Sequence, residues 1–109
     1  MWNRQYDITM QTPIGARYGS MAVRVEDGRV NGILTILKKA VPFEGVIHED
    51  GNCRITGKLI TLMRTIPYDA TGQMTQTSLQ LTLRGAQETF ELSGHAVDSF
   101  SSSEKESQL

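Results

Sequence analysis

Glu26-Asp27-Gly28, leading to Gly32-Ile33-Leu34 and Leu37, returns further along the chain as Glu49-Asp50-Gly51, leading to Gly57-Lys58-Leu59 and Leu62. Each copy reads as a tight turn running into a strand with an interior glycine, because Asp-Gly supplies the left-handed backbone that closes a hairpin. The second copy holds two more residues between turn and glycine, so shared turn chemistry explains the match as well as duplication does. On either explanation the phrase means β-structure.

Alternation extends that reading in both directions, since a period of two buries one face of a strand and leaves the other in water. Tyr6, Ile8 and Met10 alternate with polar neighbours, and Thr12-Pro13-Ile14-Gly15 ends the pattern. Met21, Val23 and Val25 form a second strand that pairs antiparallel with a third, about Val30 to Leu37, across Asp27-Gly28. A fourth is expected from Phe43 to about His48, after a joining segment that holds Ala40-Val41, and a fifth from Cys53 to Met63, with Pro67 interrupting or bending it and a turn at Thr71-Gly72. Leu79, Leu81 and Leu83 mark the next strand, and Phe90, Leu92, Gly94 and Ala96 the last.

Seven or eight short antiparallel strands at even spacing, without helical periodicity, predict an all-β up-and-down meander. Closing it into a small barrel removes both exposed edges, and Gly32, Gly45, Gly57 and Gly94 on the inward faces permit the necessary coiling. A β-sandwich is the alternative, because alternation does not separate the two. The glycine-bearing strands Phe43-Glu44-Gly45-Val46-Ile47 and Ile55-Thr56-Gly57-Lys58-Leu59 resemble those of small calycin-like barrels, the group of lipocalins and avidins. That resemblance covers about residues 4–97 and implies a barrel with an interior or mouth for a small ligand. The lipocalin Gly-x-Trp signature is absent around Trp2, so no binding residue carries over.

At 109 residues the chain fits one domain, expected over residues 1–97, with a disordered Ser-, Glu- and Lys-rich tail over 98–109. A net charge of -1 argues against a strong field for nucleic acid or a membrane surface. The single Cys53 excludes an internal disulfide, and the polar start Met1 to Gln11 does not read as a secretory signal, so a cytoplasmic protein is expected. No cofactor or metal is expected. The acidic turns lack the alternating oxygen ligands of a calcium loop.

The candidate ligand residues are Met10, Met21, Met63 and Met74 on the inner face, where methionine adapts to apolar ligands, with Arg64 and Tyr68 at a proline-bent strand end. Ile33, Leu37, Ile60 and Leu62 give strands three and five a second apolar face, which points to a homo-oligomer. Ser93, His95 and Asp98 lie close in sequence, yet the first two share one strand face and read as solvated. The expectation is a non-catalytic, self-associating barrel that binds a small apolar ligand. Its alternatives are an isomerase or cyclase using Arg64 and Tyr68, and an interaction module docking through the apolar faces.

Overall fold

The chain closes on itself. The computed structural model describes residues 1–97, in which eight antiparallel strands follow one another around a closed barrel in chain order. They are β1 (Trp2–Thr12), β2 (Gly15–Glu26), β3 (Arg29–Ile36), β4 (Lys39–Ile47), β5 (Asn52–Ile60), β6 (Thr65–Met74), β7 (Ser78–Arg84) and β8 (Thr89–Val97). Closure decides barrel over sandwich: β1 pairs with β2 and also, through Gln5 to Gln11, with Val97 to Glu91 of β8. The expected tail and Asp98 lie outside the described residues.

Inward side chains from all eight strands form one core, in which Tyr6, Met10, Met21, Leu34, Ile55, Leu59, Met74, Leu81 and Leu92 are almost fully buried. A small barrel must fill its own centre, and alternating large with small residues across strands does this. Gly32, Phe43, Gly57 and Tyr68 are cross-strand partners in one row over β3 to β6. A Cβ on Gly32 would lie 2.9 Å from the tip of the Phe43 ring, and one on Gly57 would lie 2.6 Å from the Tyr68 hydroxyl. Gly57 thus leaves room for a neighbouring ring, whereas at Gly32 the nearest obstacle is backbone, the Ala22 carbonyl oxygen at 1.8 Å, with the Phe43 ring further out.

Several strand boundaries depart from the sequence reading. Strand β5 stops at Ile60, and Thr61–Arg64 forms a turn, so Met63 is not on the inner face. Pro67 does not interrupt pairing: it sits in β6 opposite Lys58, beyond Asp69, where the ladder to β7 ends and no donor is required. Thr71-Gly72 is strand, not turn, paired with Arg54 and Cys53 on one side and Thr82 and Leu81 on the other. Leu37 and Lys38 form the β3–β4 turn at φ 55° and 65°, so β4 begins at Lys39 and takes in Ala40 and Val41.

Alternating strand direction gives the barrel two ends. The β2–β3, β4–β5 and β6–β7 connections and Trp2 lie at the lower end; the β1–β2, β3–β4, β5–β6 and β7–β8 connections lie at the upper.

Candidate functional site

Three connections and the first strand meet at the lower end. Asp27-Gly28 closes β2 onto β3 with both residues left-handed, at φ 52° and 76°, the two-residue turn that matches strand twist. The copy at Asp50-Gly51 is wider, with Gly51 donating to the His48 carbonyl at 2.9 Å, while the two extra residues of the second phrase lie within strand β5, where Gly57 is the sixth residue and Gly32 is the fourth of β3. The connections are also bonded to one another. Ile47 donates to the Gly28 carbonyl at 2.9 Å, Met74 donates to the Gly51 carbonyl at 2.8 Å, and the buried Tyr6 hydroxyl donates to the Thr75 carbonyl. Arg4 reaches Gln76 through its carbonyl and side chain, at 3.1 and 3.0 Å.

Between these connections lies a cleft of about 540 Å³. The edges of the core residues Val25 and Ile47, each under a tenth exposed, give it a narrow apolar side, with Met74 fully buried in its wall; half-buried Trp2 gives an aromatic side, and Asp27, His48, Glu49 and Asp50 a polar rim. Asp50 is committed, accepting the Asn52 backbone N–H at 2.9 Å and its side-chain amide at 3.0 Å. The Asp27 and Glu49 carboxylates make no hydrogen bond or ion pair among the described residues. An indole, the edges of two aliphatic side chains and two free carboxylates suit an apolar molecule with a cationic group, since an aromatic face and anions both attract a desolvated cation.

The predicted ligand residues separate. Met10 and Met21 are packed inside the core, and Met74 borders the lower cleft. Met63 is 90% exposed at the tip of the β5–β6 turn. Arg64, on that turn, pairs with Glu88 at 2.8 Å. Tyr68 faces inward over Gly57, and burial pushes its hydroxyl up to about 12, so the two residues do not converge on a common mouth.

The residues expected at an interface also part. Ile33 is 41% exposed on the outside of β3, Leu37 packs against the core from its turn, Ile60 is half-buried and Leu62 is fully exposed at a tip. Leu37 leaves the strand because the turn takes it, so strand three has a shorter outer apolar face than expected.

Ser93 and His95 face solvent on β8. Cys53 is buried, and burial pushes its thiol up to about 11, far from a reactive thiolate. No group of three or more potential metal-binding side chains occurs among the described residues. Sequence reasoning missed the cleft, although its turns were visible: hairpin parity alone places both Asp-Gly turns at one end.

No family model, characterised protein or solved structure matches this chain. Fold and site together define an eight-stranded up-and-down barrel with an acid-rimmed apolar cleft at its lower end.

Proposed function

We propose that this protein is a non-catalytic binding barrel whose lower cleft takes a small apolar molecule carrying a positive charge. The reading keeps the calycin-like expectation of a small ligand but moves the site from the filled centre to the lower mouth. The observation that carries it is the meeting of core apolar residues, Trp2 and the free Asp27 and Glu49 carboxylates in one cleft with bonded walls. Trp2 is the only tryptophan, so its emission reports occupancy directly. Titration with dodecyltrimethylammonium below its micellar range is expected to shift that emission saturably. Dodecyl sulfate is expected to do so far more weakly, and Asp27→Asn with Glu49→Gln to weaken the cationic probe about tenfold, the sum of two modest charge contributions. Equal response to both detergents would remove the proposal.

Self-association is a second reading. Ile33 is flanked across the strands by Ala22 and Pro42, which gives β2 to β4 an outward apolar patch. Native mass spectrometry of the purified protein tests both readings, through copy number and retained small molecules. A monomer at high concentration would exclude the second.

A further inference from the structure

Charge is segregated along the barrel. The upper connections, with their flanking strand ends, carry Lys38, Lys39, Arg64 and Arg84 against Glu88; the lower ones carry Glu26, Asp27, Glu49 and Asp50 against Arg29. One end is therefore net +3 and the other net -3, which the overall value of -1 conceals. Arg17 adds a cation near the upper end, and Arg4 adds one at the lower. Lys38 and Lys39 are exposed and make no ion pair among the described residues.

The upper end also exposes large apolar side chains at its tips. Ile14 in the β1–β2 turn is 81% exposed, Leu62 is fully exposed and Met63 nearly so. The β1–β2 and β5–β6 turns are separated by four strands either way around the ring, so the tips stand on opposite sides of the rim. Residues 15–19 of β2 pair with β1 alone, while β3 joins only from Ser20, so the arm bearing Ile14 and exposed Tyr18 extends past its neighbour's ladder. Tips on opposite sides with cations between them suit a flat surface better than a groove.

Turn chemistry does not require these residues. At the upper Thr61–Arg64 turn, the threonine N–H donates to the Arg64 carbonyl at 2.9 Å, and its hydroxyl accepts the N–H groups of Met63 and Arg64. The lower Thr75–Ser78 turn repeats every one of these bonds with Gln76-Thr77 at the tip. A second pair agrees: left-handed positions hold Asp27-Gly28 below but Leu37-Lys38 above. The lower turns carry polar or turn-favouring residues, whereas three of the four upper ones carry apolar or cationic residues, the β7–β8 connection Gly85-Ala86-Gln87-Glu88 being the exception.

We propose that the upper end docks onto an anionic lipid surface, with Ile14, Leu62 and Met63 entering the headgroup boundary and the unpaired Lys38 and Lys39 facing the phosphates, while Arg64, paired with Glu88, and Arg84, bonded to Thr71, add only to the surrounding field. It departs from the membrane-free partner expectation, which rested on net charge, and it is independent of the lower cleft.

The test is co-sedimentation of the full chain with vesicles of equimolar phosphatidylglycerol and phosphatidylcholine, or of phosphatidylcholine alone. Wild type is expected to sediment with the anionic vesicles, to release in high salt and to ignore the neutral ones. Leu62→Gln with Met63→Thr copies the lower tip onto a turn that already makes the same bonds, so folding is retained. It is expected to lower partitioning about tenfold, as is Lys38→Glu with Lys39→Glu. Absence of anionic-vesicle binding overturns the proposal, as does undiminished binding by the tip variant. So does a wild-type oligomer without vesicle binding that the tip variant dissociates, because the tips would then meet the acidic end of another copy.

Discussion

The two ends of this barrel are built differently. At the lower end the turns are tied to their neighbours: the last residue of β4, Ile47, bonds to Gly28, the β4–β5 connection bonds to Met74 through Gly51, and the β6–β7 turn is held by Tyr6, Arg4 and the Ala96 N–H, which donates to Thr77 at 2.8 Å. At the upper end, backbone bonds in the connections stay within single turns, as in Thr61 to Arg64 and Gly85 to Glu88. Among the described residues, the one ion pair between upper connections is Arg64 to Glu88, on the surface. A laced end holds a cleft in one shape; an unlaced end presents separate tips. The difference supports a pre-formed ligand site below and surface contact above.

The largest expected effects come from glycines in the two halves. At Gly45, toward the lower end, an added Cβ would fall 2.0 Å from the Arg54 carbonyl oxygen and 2.6 Å from the Ile55 Cα, both backbone. At Gly57, toward the upper end, it meets first the hydroxyl of Tyr68 at 2.6 Å, the tip of a buried side chain rather than backbone. Gly45→Ala is therefore expected to cost about 3 kcal/mol or more, and Gly57→Ala about 1 kcal/mol, because overpacking against backbone relaxes least. Urea unfolding of both variants measures the gap. Equal costs would mean that the upper wall is as unyielding as the lower.

Next come the buried tyrosines. Tyr6 bonds to the Thr75 carbonyl, whereas the Tyr68 hydroxyl has no partner among the described residues and is not sealed from water. Tyr6→Phe is expected to cost about 1 kcal/mol by leaving that carbonyl short of a donor, and Tyr68→Phe less than about half of that. Burial pushes both hydroxyls up to about 12, from an ordinary value of 10.0. Cys53 rises likewise to about 11 from 9.0. Groups whose folded pKa is raised contribute stability that is fully present below the unfolded value and lost as pH rises through the folded one. Circular dichroism should therefore show full stability below about pH 9 and a steep loss as pH rises through 11 to 12, with Tyr6→Phe making the loss shallower. A flat profile to pH 12 would show that these hydroxyls ionise in place.

The same contrast separates what the sequence showed from what it hid. Alternation located the strands, since Leu79, Leu81 and Leu83 or Tyr6, Ile8 and Met10 permit no other periodicity. It did not find the end of β5, because Leu62 and Met63 continue an apolar run and nothing local says that Thr61 starts a turn. Pro67 and Gly72 looked like breakers because their tolerance depends on where β7 stops pairing and on close approach to Gln80, both long-range facts. The lower cleft draws on residues 1–2, 25–28, 47–51 and 74–77, and only closure brings those segments together. Charge segregation was legible in principle: once hairpins are assigned, parity sorts every turn to an end.

The matched threonine turns give a smaller test. Thr61→Ala and Thr75→Ala each remove a hydroxyl that accepts two backbone N–H groups, in the open, where water replaces much of the loss. Each is expected to cost about 0.5 to 1 kcal/mol, with the two values alike. A much larger loss at Thr75 would mean that its turn's ties to Tyr6 and Arg4 depend on that hydroxyl, sharpening the view of the lower end as one unit.

The smallest expected change is a gain. Lys38 holds φ 65° and Leu37 φ 55°, in a region where side chains crowd the backbone and where the lower hairpin uses Gly28. Leu37 recovers part of that cost by packing against the core, but exposed Lys38 has no comparable compensation. Lys38→Gly relieves the crowding while adding freedom to the unfolded chain, and the balance is a stabilisation of about 0.5 kcal/mol. Thermal unfolding would register it as a small rise in Tm, and the same variant should bind anionic vesicles less well for want of one cation. A rise in stability joined to a fall in binding would show a charge kept at the upper end at the expense of the fold. A fall in both would place Lys38 among the residues that the barrel itself requires.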